Sequence, residues 1–252
     1  GGRIMIVALG ALLGLVIGSF LAVLTARWSQ GEAITGRSRC DVCGVQLGVV
    51  DLVPVLSFLW LRGRCRRCGA AIDRRHLAIE LAGALVGAGM LWRDPGVAGL
   101  AAAVAGWWLL ALIILDTEHQ WLPDRLTLPL IPAGLALGQV LGFATIWDRC
   151  FAALLGFAVL AALRLAWRLR TGREGMGGGD PKLMAGIGAL VGVLPLPFIL
   201  TGGALLGLAL ALGDRLRGRA VTATTALPLG ALIAGMALIL LMIGPGWWEM
   251  VR

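Results

Sequence analysis

The chain has 252 residues, of which 59% are apolar and only 14% are charged. That composition excludes an ordinary soluble domain, in which about a quarter of the residues are charged. The net charge of +8 is explained by membrane topology and by contact with anionic lipid headgroups, so we expect no nucleic-acid partner.

Long apolar stretches predict an all-α polytopic membrane protein with about eight transmembrane helices. The eight segments cover residues 4–25, 77–92, 96–115, 126–146, 151–169, 182–194, 198–212 and 226–248. The sixth and seventh segments are short and hard to separate, so seven spans is the alternative count.

The positions of the basic residues indicate an orientation, because Lys and Arg accumulate in short cytoplasmic loops. With the amino terminus in the periplasm, 18 of the 22 basic residues fall on the cytoplasmic side. The four that fall outside are Arg3, Arg93, Arg149 and Arg252. An odd number of spans would place some of these basic loops on the wrong side of the membrane, so the charge asymmetry favours eight spans.

The one long polar stretch, residues 26–76, contains four of the five cysteines as two Cys-x-x-Cys pairs separated by 21 residues. This spacing resembles a zinc ribbon, in which paired thiolates surround one metal ion. The predicted ligands are Cys40, Cys43, Cys65 and Cys68.

The orientation places this stretch in the reducing cytoplasm, where disulfides are disfavoured. We therefore predict a structural zinc ion, with two disulfides or four idle thiols as the alternatives. Gly44 and Gly69 follow the two pairs, where such a turn commonly needs a positive φ. The predicted organisation is a first transmembrane helix (residues 1–25), a cytoplasmic zinc-binding domain with four cysteine ligands (26–76) and a membrane domain (77–252).

Two aspartates lie at the predicted cytoplasmic edge of the membrane. Asp116 directly follows an apolar run, and Asp180 follows three glycines just before another apolar segment. Two carboxylates that share a low-dielectric site cannot both ionise easily, so one of them keeps a proton. Such a pair suits peptide hydrolysis, because the ionised member activates water while the neutral member protonates the scissile carbonyl.

The glycines before Asp180 are Gly177, Gly178 and Gly179. Residues without a Cβ let an extended substrate backbone approach the carboxylate, so we predict a substrate-binding role for them. A phosphate-binding loop is a poor alternative, because no strand precedes the glycines and no Gly-Lys-Ser/Thr ending follows. Taken singly, either aspartate is also explained as a helix cap or an interfacial charge.

Several linked motifs resemble those of type IV prepilin peptidases, which are membrane aspartic proteases of the GxGD class. The central ones are L-D-T-E-H-Q-W-L-P-D-R-L-T-L-P from residue 115 and G-M-G-G-G-D-P-K-L from residue 175. Earlier in the chain, G-S-F-L, R-S-R-C-D-V-C-G, D-L-V-P-V-L-S-F-L and R-G-R-C-R-R-C-G resemble the amino-terminal pattern of that family. The similarity covers most of the chain.

The resemblance implies catalytic roles for Asp116 and Asp180. Asp124 and Lys182 are also predicted to contribute to the substrate-binding site. The resemblance places Asp124 in the L-P-D element, where helix capping or loop bracing is the simpler role. Lys182 is implied to tune the charge of Asp180, with a membrane-anchoring charge as the alternative. Glu80 matches an acidic family position that receives the substrate leader or amino terminus; an interfacial charge paired with Arg74 or Arg75 is equally good.

The resemblance further implies a bacterial inner-membrane enzyme that cleaves prepilins or the pseudopilins of type II secretion. Many relatives also methylate the new amino terminus with S-adenosylmethionine. Ala22 stands where many relatives have Asn, no proline lies near Arg27, and no nucleotide-binding fingerprint is present, so a peptidase without methyltransferase activity is the alternative.

A non-catalytic zinc-ribbon assembly factor and a carrier with a carboxylate proton relay are hypotheses from other classes. The sequence carries no signal for the oligomeric state.

Overall fold

The computed structural model describes residues 1–33, 35–218 and 227–247. Within these ranges the regular secondary structure is helical, and strand-like pairing is limited to two isolated antiparallel bridges. The α-helices are α1 (Gly2–Ser29), α2 (Leu56–Trp60), α3 (Arg74–Arg93), α4 (Val97–His119), α5 (Asp124–Thr127), α6 (Leu130–Leu141), α7 (Ile146–Thr171), α8 (Gly179–Val191), α9 (Leu196–Leu216) and α10 (Leu229–Ile243). Short 3-10 helices cover Val49–Leu52 and Pro245–Trp247.

Eight of these helices, α1, α3, α4 and α6 to α10, coincide in chain order with the eight predicted segments. Among the described residues, α1, α4, α7 and α9 are long and apolar enough to cross a membrane, and α10 is a shorter apolar helix. The all-helical fold is thereby confirmed and is typical of a membrane protein. The count of eight spans stays a prediction.

Two of the predicted segments differ from the helices that form. The segment predicted over residues 126–146 is interrupted, because Pro129 has no backbone N–H to continue α5 and instead caps α6. The resulting α6 has 12 residues, which corresponds to about 18 Å. The sixth and seventh segments form separate helices, since Gly192 ends α8 with a φ of +86°.

Four positions used in the sequence predictions lie outside the described residues. They are the two ends of the eighth segment, at residues 226 and 248, and the basic residues Arg219 and Arg252.

The chain divides into two compact units, Gly1–Ala103 and Val104–Arg252. In the first unit, α1 and α3 pack closely through facing glycines. A Cβ atom on Gly14 would lie 2.1 Å from the carbonyl oxygen of Gly83, so the two backbones touch. Small residues at a helix contact are common in membranes, where close packing rather than the hydrophobic effect drives helix association.

The second unit is built around α8, where every residue from Asp180 to Val191 except Lys182 is buried. A helix that is apolar on all sides must be surrounded by other elements, and α8 contacts α5, α6, α7 and α10. Arg149 in α7 is also fully buried, and its guanidinium donates to the Leu135 carbonyl at 2.8 Å and to Gln139 at 2.7 Å, both on α6. Asp180 lies in the first turn of this surrounded helix and is itself buried.

Candidate active site

Asp116 lies in the last turn of α4, which continues to His119 and therefore extends past the predicted end of its span. The side chain is buried, with 6% of its surface exposed. Its Oδ2 accepts a hydrogen bond from the backbone N–H of Ala231 at 2.6 Å. That N–H belongs to the first turn of α10, where the first backbone donors have no partner within the helix.

Asp180 lies in the first turn of α8, ahead of the segment predicted to span the membrane, and is also buried. Burial, followed by the nearby charge of Asp116, raises the pKa of Asp180 to about 6. The backbone N–H of Gly177 and the charge of Arg164 oppose this shift and lower the pKa of Asp180. The carboxyl group is therefore protonated over a wider pH range than an exposed aspartate.

The two carboxyl groups meet at Gly230, in the first turn of α10. A Cβ atom on this glycine would lie 2.9 Å from Oδ1 of Asp180 and 3.1 Å from Oδ2 of Asp116. The two oxygens are therefore within about 6 Å of each other. Two hydrogen bonds of about 2.8 Å placed end to end cover this distance, so one water molecule can contact both acids.

The L-P-D element connects the segments that carry the two aspartates. Leu122 lies between two glycines, because its side chain is the nearest neighbour of a Cβ built on either Gly179 or Gly230. Pro123 caps α5, and Asp124 forms an ion pair with Lys182 at 2.5 Å. The pair is partly exposed, so we expect it to contribute less than about 1 kcal/mol. Its main effect is to connect the loop after α4 to α8.

The three glycines before Asp180 have different surroundings. A Cβ on Gly179 would lie 2.4 Å from Cβ and 2.9 Å from the carbonyl oxygen of Leu122, so no larger residue fits there. A Cβ on Gly177 would lie 3.3 Å from Asp180, and one on Gly178 would lie 3.3 Å from the far end of the Arg164 side chain. Close packing thus requires Gly179, whereas a Cβ on Gly177 or Gly178 would meet only the ends of side chains, those of Asp180 and Arg164.

Glu80 and the four cysteines belong to the first unit. Glu80 is buried in α3, and its Oε2 accepts the backbone N–H of Val55 at 2.8 Å. The Sγ atoms of Cys40, Cys43, Cys65 and Cys68 all lie within 4.8 Å of one another. The arrangement brings together four sulfur ligands of the kind that zinc prefers.

The two cysteine turns have the same backbone geometry. In each turn the carbonyl of the first cysteine accepts the N–H of the following glycine at 2.9 Å, and Gly44 and Gly69 have φ values of +69° and +72°. This agrees with the positive φ that the sequence predicts. The backbone N–H groups of Cys68 and Arg67 lower the pKa of the Cys65 thiol to about 6, whereas burial and the other three cysteines raise the pKa of the Cys68 thiol to about 11.

Sequence reasoning missed four residues that contact the aspartates or set their positions. These are Leu122, Arg164, Gly230 and Ala231. A signal for Gly230 exists in the sequence, since it follows Pro228 at the start of an apolar helix, a position where backbone donors are free. Nothing local indicates that this helix start contacts Asp116, which is 115 residues away.

Comparison with known proteins places two family models on the chain. One, described as the type IV leader peptidase family, matches residues 103–212. The other, described as the bacterial peptidase A24 N-terminal domain, matches residues 12–93. No solved structure matches the chain significantly.

Curated relatives carry the name prepilin leader peptidase/N-methyltransferase. The protein from Aeromonas hydrophila is 41% identical over 70% of this chain and 61% of its own length. The one from Pseudomonas aeruginosa is 35% identical over 92% of this chain and 89% of its own length. The one from Dickeya chrysanthemi is 36% identical over 97% and 95%. The match to the Aeromonas relative thus spans less than two thirds of that protein.

Proposed function

Because this chain belongs to the type IV leader peptidase family, we propose that it is a membrane aspartic endopeptidase with Asp116 and Asp180 as its catalytic pair. The observation that carries the proposal is that one oxygen of each acid lies beside Gly230, within about 6 Å of the other. The proposed substrates are prepilins or type II secretion pseudopilins, from which the enzyme removes the basic leader.

In the proposed mechanism the two acids share one proton and have different roles. Asp116 is the ionised member, because its carboxylate accepts an N–H at the positive amino end of α10. It takes a proton from water, whose oxygen attacks the scissile carbonyl carbon. Asp180 holds the shared proton, since burial and the charge of Asp116 raise its pKa to about 6, and donates this proton to the carbonyl oxygen. The C–N bond of the tetrahedral intermediate then breaks as Asp116 gives the proton it took from water to the leaving nitrogen. One hydroxyl of the intermediate returns its proton to Asp180, which leaves a carboxylic acid and an amine.

The surroundings of the pair suit a substrate with an extended backbone. The peptide bonds of a helix are shielded, so the substrate has to unwind locally before attack. We propose that it lies along Gly177 and Gly178, where the absence of side chains leaves room beside Asp180. Asp124 and Lys182 hold the two catalytic segments together, and contact between Glu80 and the substrate leader stays a prediction.

The basic residues support an orientation for this site. We propose eight transmembrane segments in the bacterial inner membrane, with a periplasmic amino terminus and with the aspartates and residues 26–76 on the cytoplasmic side. In that organisation residues 1–25 form the first span and residues 77–252 form the peptidase domain. A prepilin inserted with its basic leader in the cytoplasm would present its cleavage site at the level of the two aspartates.

The first prediction concerns the acids themselves. Asp116→Asn and Asp180→Asn each remove an acid–base group, so leader cleavage should fall at least 100-fold, within the range of about 10² to 10⁴ typical of such groups. Cleavage of a purified prepilin in detergent measures this effect. Asp214→Asn, at the end of α9, is the control and should keep full activity. Full processing by either active-site variant refutes the assignment of the catalytic pair, whereas a lack of cleavage by the unchanged protein favours an assembly factor or a carrier.

The second prediction concerns the space between the acids. Gly230→Ala adds a methyl group within 3.1 Å of one oxygen of each aspartate, so the carboxyl groups must move apart. Because a displacement of about 1 Å can cost 10²-fold in rate, kcat/KM should fall at least tenfold while the protein stays folded. Gly235→Ala in the same helix has nothing within 4 Å of the added methyl and should leave cleavage unchanged. Equal activity of the two variants contradicts the proposed geometry.

We further propose that the four cysteines bind one structural zinc ion. The Sγ atoms of Cys40 and Cys68 are 3.8 Å apart, which matches the edge of a tetrahedron with Zn–S bonds of about 2.3 Å. Four thiolates would complete the coordination shell and leave no position for water or substrate. The residues around the turns have little core of their own, so the ion would stabilise the fold of this region.

The third prediction tests this site. The purified protein should contain one zinc ion per chain by mass spectrometry of the metal content. Cys65→Ser should lower that content and the melting temperature, because it removes a ligand from a buried position. Cys150→Ser is the matched control, since Cys150 is in α7 and far from the cluster in sequence, and it should keep the zinc. A wild-type protein without stoichiometric zinc rejects the proposal.

The printed name of the relatives includes N-methyltransferase, so we propose S-adenosylmethionine-dependent methylation of the new amino terminus as a second activity. In this chain Ala22 is fully buried in α1, and its carbonyl accepts a hydrogen bond from Arg75 of α3 at 2.8 Å. Ala22, which stands where many relatives have Asn, is thus part of the packed contact between α1 and α3.

The fourth prediction separates the two activities. Incubation of a prepilin with the enzyme and S-adenosylmethionine should give a processed product heavier by one methyl group. Asp180→Asn with substrate whose leader has already been removed should still give the methylated product, because methylation does not need the acid pair. An unmethylated product in the first reaction means that the chain is a peptidase alone.

A further inference from the structure

The segment of residues 49–60 in the first unit exposes an unusual number of large apolar side chains. Seven of its residues have at least 38% of their surface exposed. They are Val49, Val50, Leu52, Val53, Leu56, Leu59 and Trp60. A contiguous apolar surface of this kind marks a contact with a partner or with a membrane.

The exposed face of α2 is formed by regularly spaced side chains. Leu56, Leu59 and Trp60 are spaced so that they share one face of the helix, and they are 65%, 62% and 74% exposed. Phe58 points to the other side, where its ring fits against Gly63 so closely that a Cβ there would lie 2.9 Å from it. The helix thus packs one partly exposed aromatic ring against Gly63 and presents an apolar face outward.

A buried carboxylate fixes the position of this segment. The N–H of Val55 donates to Oε2 of Glu80 at 2.8 Å, and Val55 has a φ of +62°, which a β-branched residue rarely adopts. Glu80 lies six residues after the start of α3, which corresponds to about 9 Å along the helix axis. The contact therefore holds the segment beside α3 rather than beyond its end.

The helices beside the segment connect it to the membrane. The start of α3 contacts α1 two turns before the end of α1, since Arg75 donates to the carbonyl of Ala22 and to the hydroxyl of Thr25. The same two helices are in backbone contact at Gly14 and Gly83. Because α1 is long and apolar enough to cross a membrane, a segment held beside α3 at this depth lies near the membrane boundary.

The basic residues next to the apolar face of α2 indicate the kind of surface that this face contacts. Arg62, Arg64, Arg66 and Arg67 directly follow α2 and are exposed. The Arg66 guanidinium forms an ion pair with Asp51 of the same segment at 2.9 Å and lies 5.9 Å from the Trp60 ring. Arg62, Arg64 and Arg67 thus supply the net positive charge beside the apolar face. Arginines near a membrane surface are attracted to anionic headgroups, and tryptophan is enriched at the level of the headgroups.

We propose that residues 49–60 form an interfacial segment that lies in the cytoplasmic leaflet of an anionic membrane. Leu56, Leu59 and Trp60 contact the acyl chains, and the arginines at 62–67 contact phosphate headgroups. The combination of an apolar face and neighbouring basic residues is typical of segments that lie in the plane of the interface. This inference depends on neither the peptidase nor the methyltransferase activity.

Photolabelling of the full chain in lipid nanodiscs tests the proposal. The discs contain phosphatidylglycerol and a lipid with a diazirine in the middle of its acyl chain, and mass spectrometry locates the adducts. Leu9 of α1, which is 56% exposed, is the control for lipid contact, and Val42 in the first cysteine turn, which is 72% exposed, is the control for water contact. We expect adducts on residues 56–60 at about the level of Leu9 and about tenfold above Val42. Labelling of residues 56–60 at the level of Val42 overturns the proposal.

Two further experiments test whether the labelling depends on headgroup charge and whether the apolar face binds substrate instead of lipid. In discs of phosphatidylcholine alone, labelling of residues 56–60 should fall at least about twofold while that of Leu9 stays the same, because the headgroup attraction is lost. Unchanged labelling refutes the role of the arginines. If addition of a prepilin to the wild-type protein abolishes the labelling, the apolar face binds substrate rather than lipid, and the proposal is wrong.

Discussion

The placement of two buried carboxyl groups beside Gly230 is the constraint on which the second unit depends. Each acid has to lose much of its hydration, and each raises the cost of ionising the other. The fold keeps them together by packing α8 on all sides and by inserting Leu122 between Gly179 and Gly230. The resulting separation of the two oxygens is at most about 6 Å and leaves no room for a side chain at position 230.

Small residues have the same physical function in both units, although they act on different neighbours. In the first unit Gly14 and Gly83 let two helix backbones touch, and in the second unit Gly179 lets α8 approach the carbonyl of Leu122. In a bilayer, lipid tails compete well for apolar side chains, so close backbone contact supplies much of the specificity of helix packing. Not every helical glycine marks such a contact, since a Cβ on Gly235 in α10 would have nothing within 4 Å.

Local patterns in the sequence predicted the helices and the cysteine turns and singled out the two aspartates as candidate acids. They could do so because apolar runs, paired cysteines and glycine-rich motifs are all contiguous in the chain. Helix ends were less predictable. Pro129 interrupts one predicted segment, and α4 continues past Asp116 instead of stopping before it. The contacts of Asp116 with Ala231 and of Asp124 with Lys182 join distant parts of the chain. Such pairings depend on how the helices pack, which hydropathy does not encode.

The positions of the acids at helix ends also explain why α10 belongs to the site. Asp116 lies in the last turn of α4, where the partial negative charge of the helix carboxyl end disfavours a carboxylate. The free N–H of Ala231 at the amino end of α10 offsets this effect and supplies a hydrogen-bond donor that α10 itself does not use. Asp180 is already in the first turn of its own helix and accepts the N–H of Gly177. One acid is thus bonded by the start of a second helix and the other lies in the start of its own, so the two chemically identical side chains have different environments.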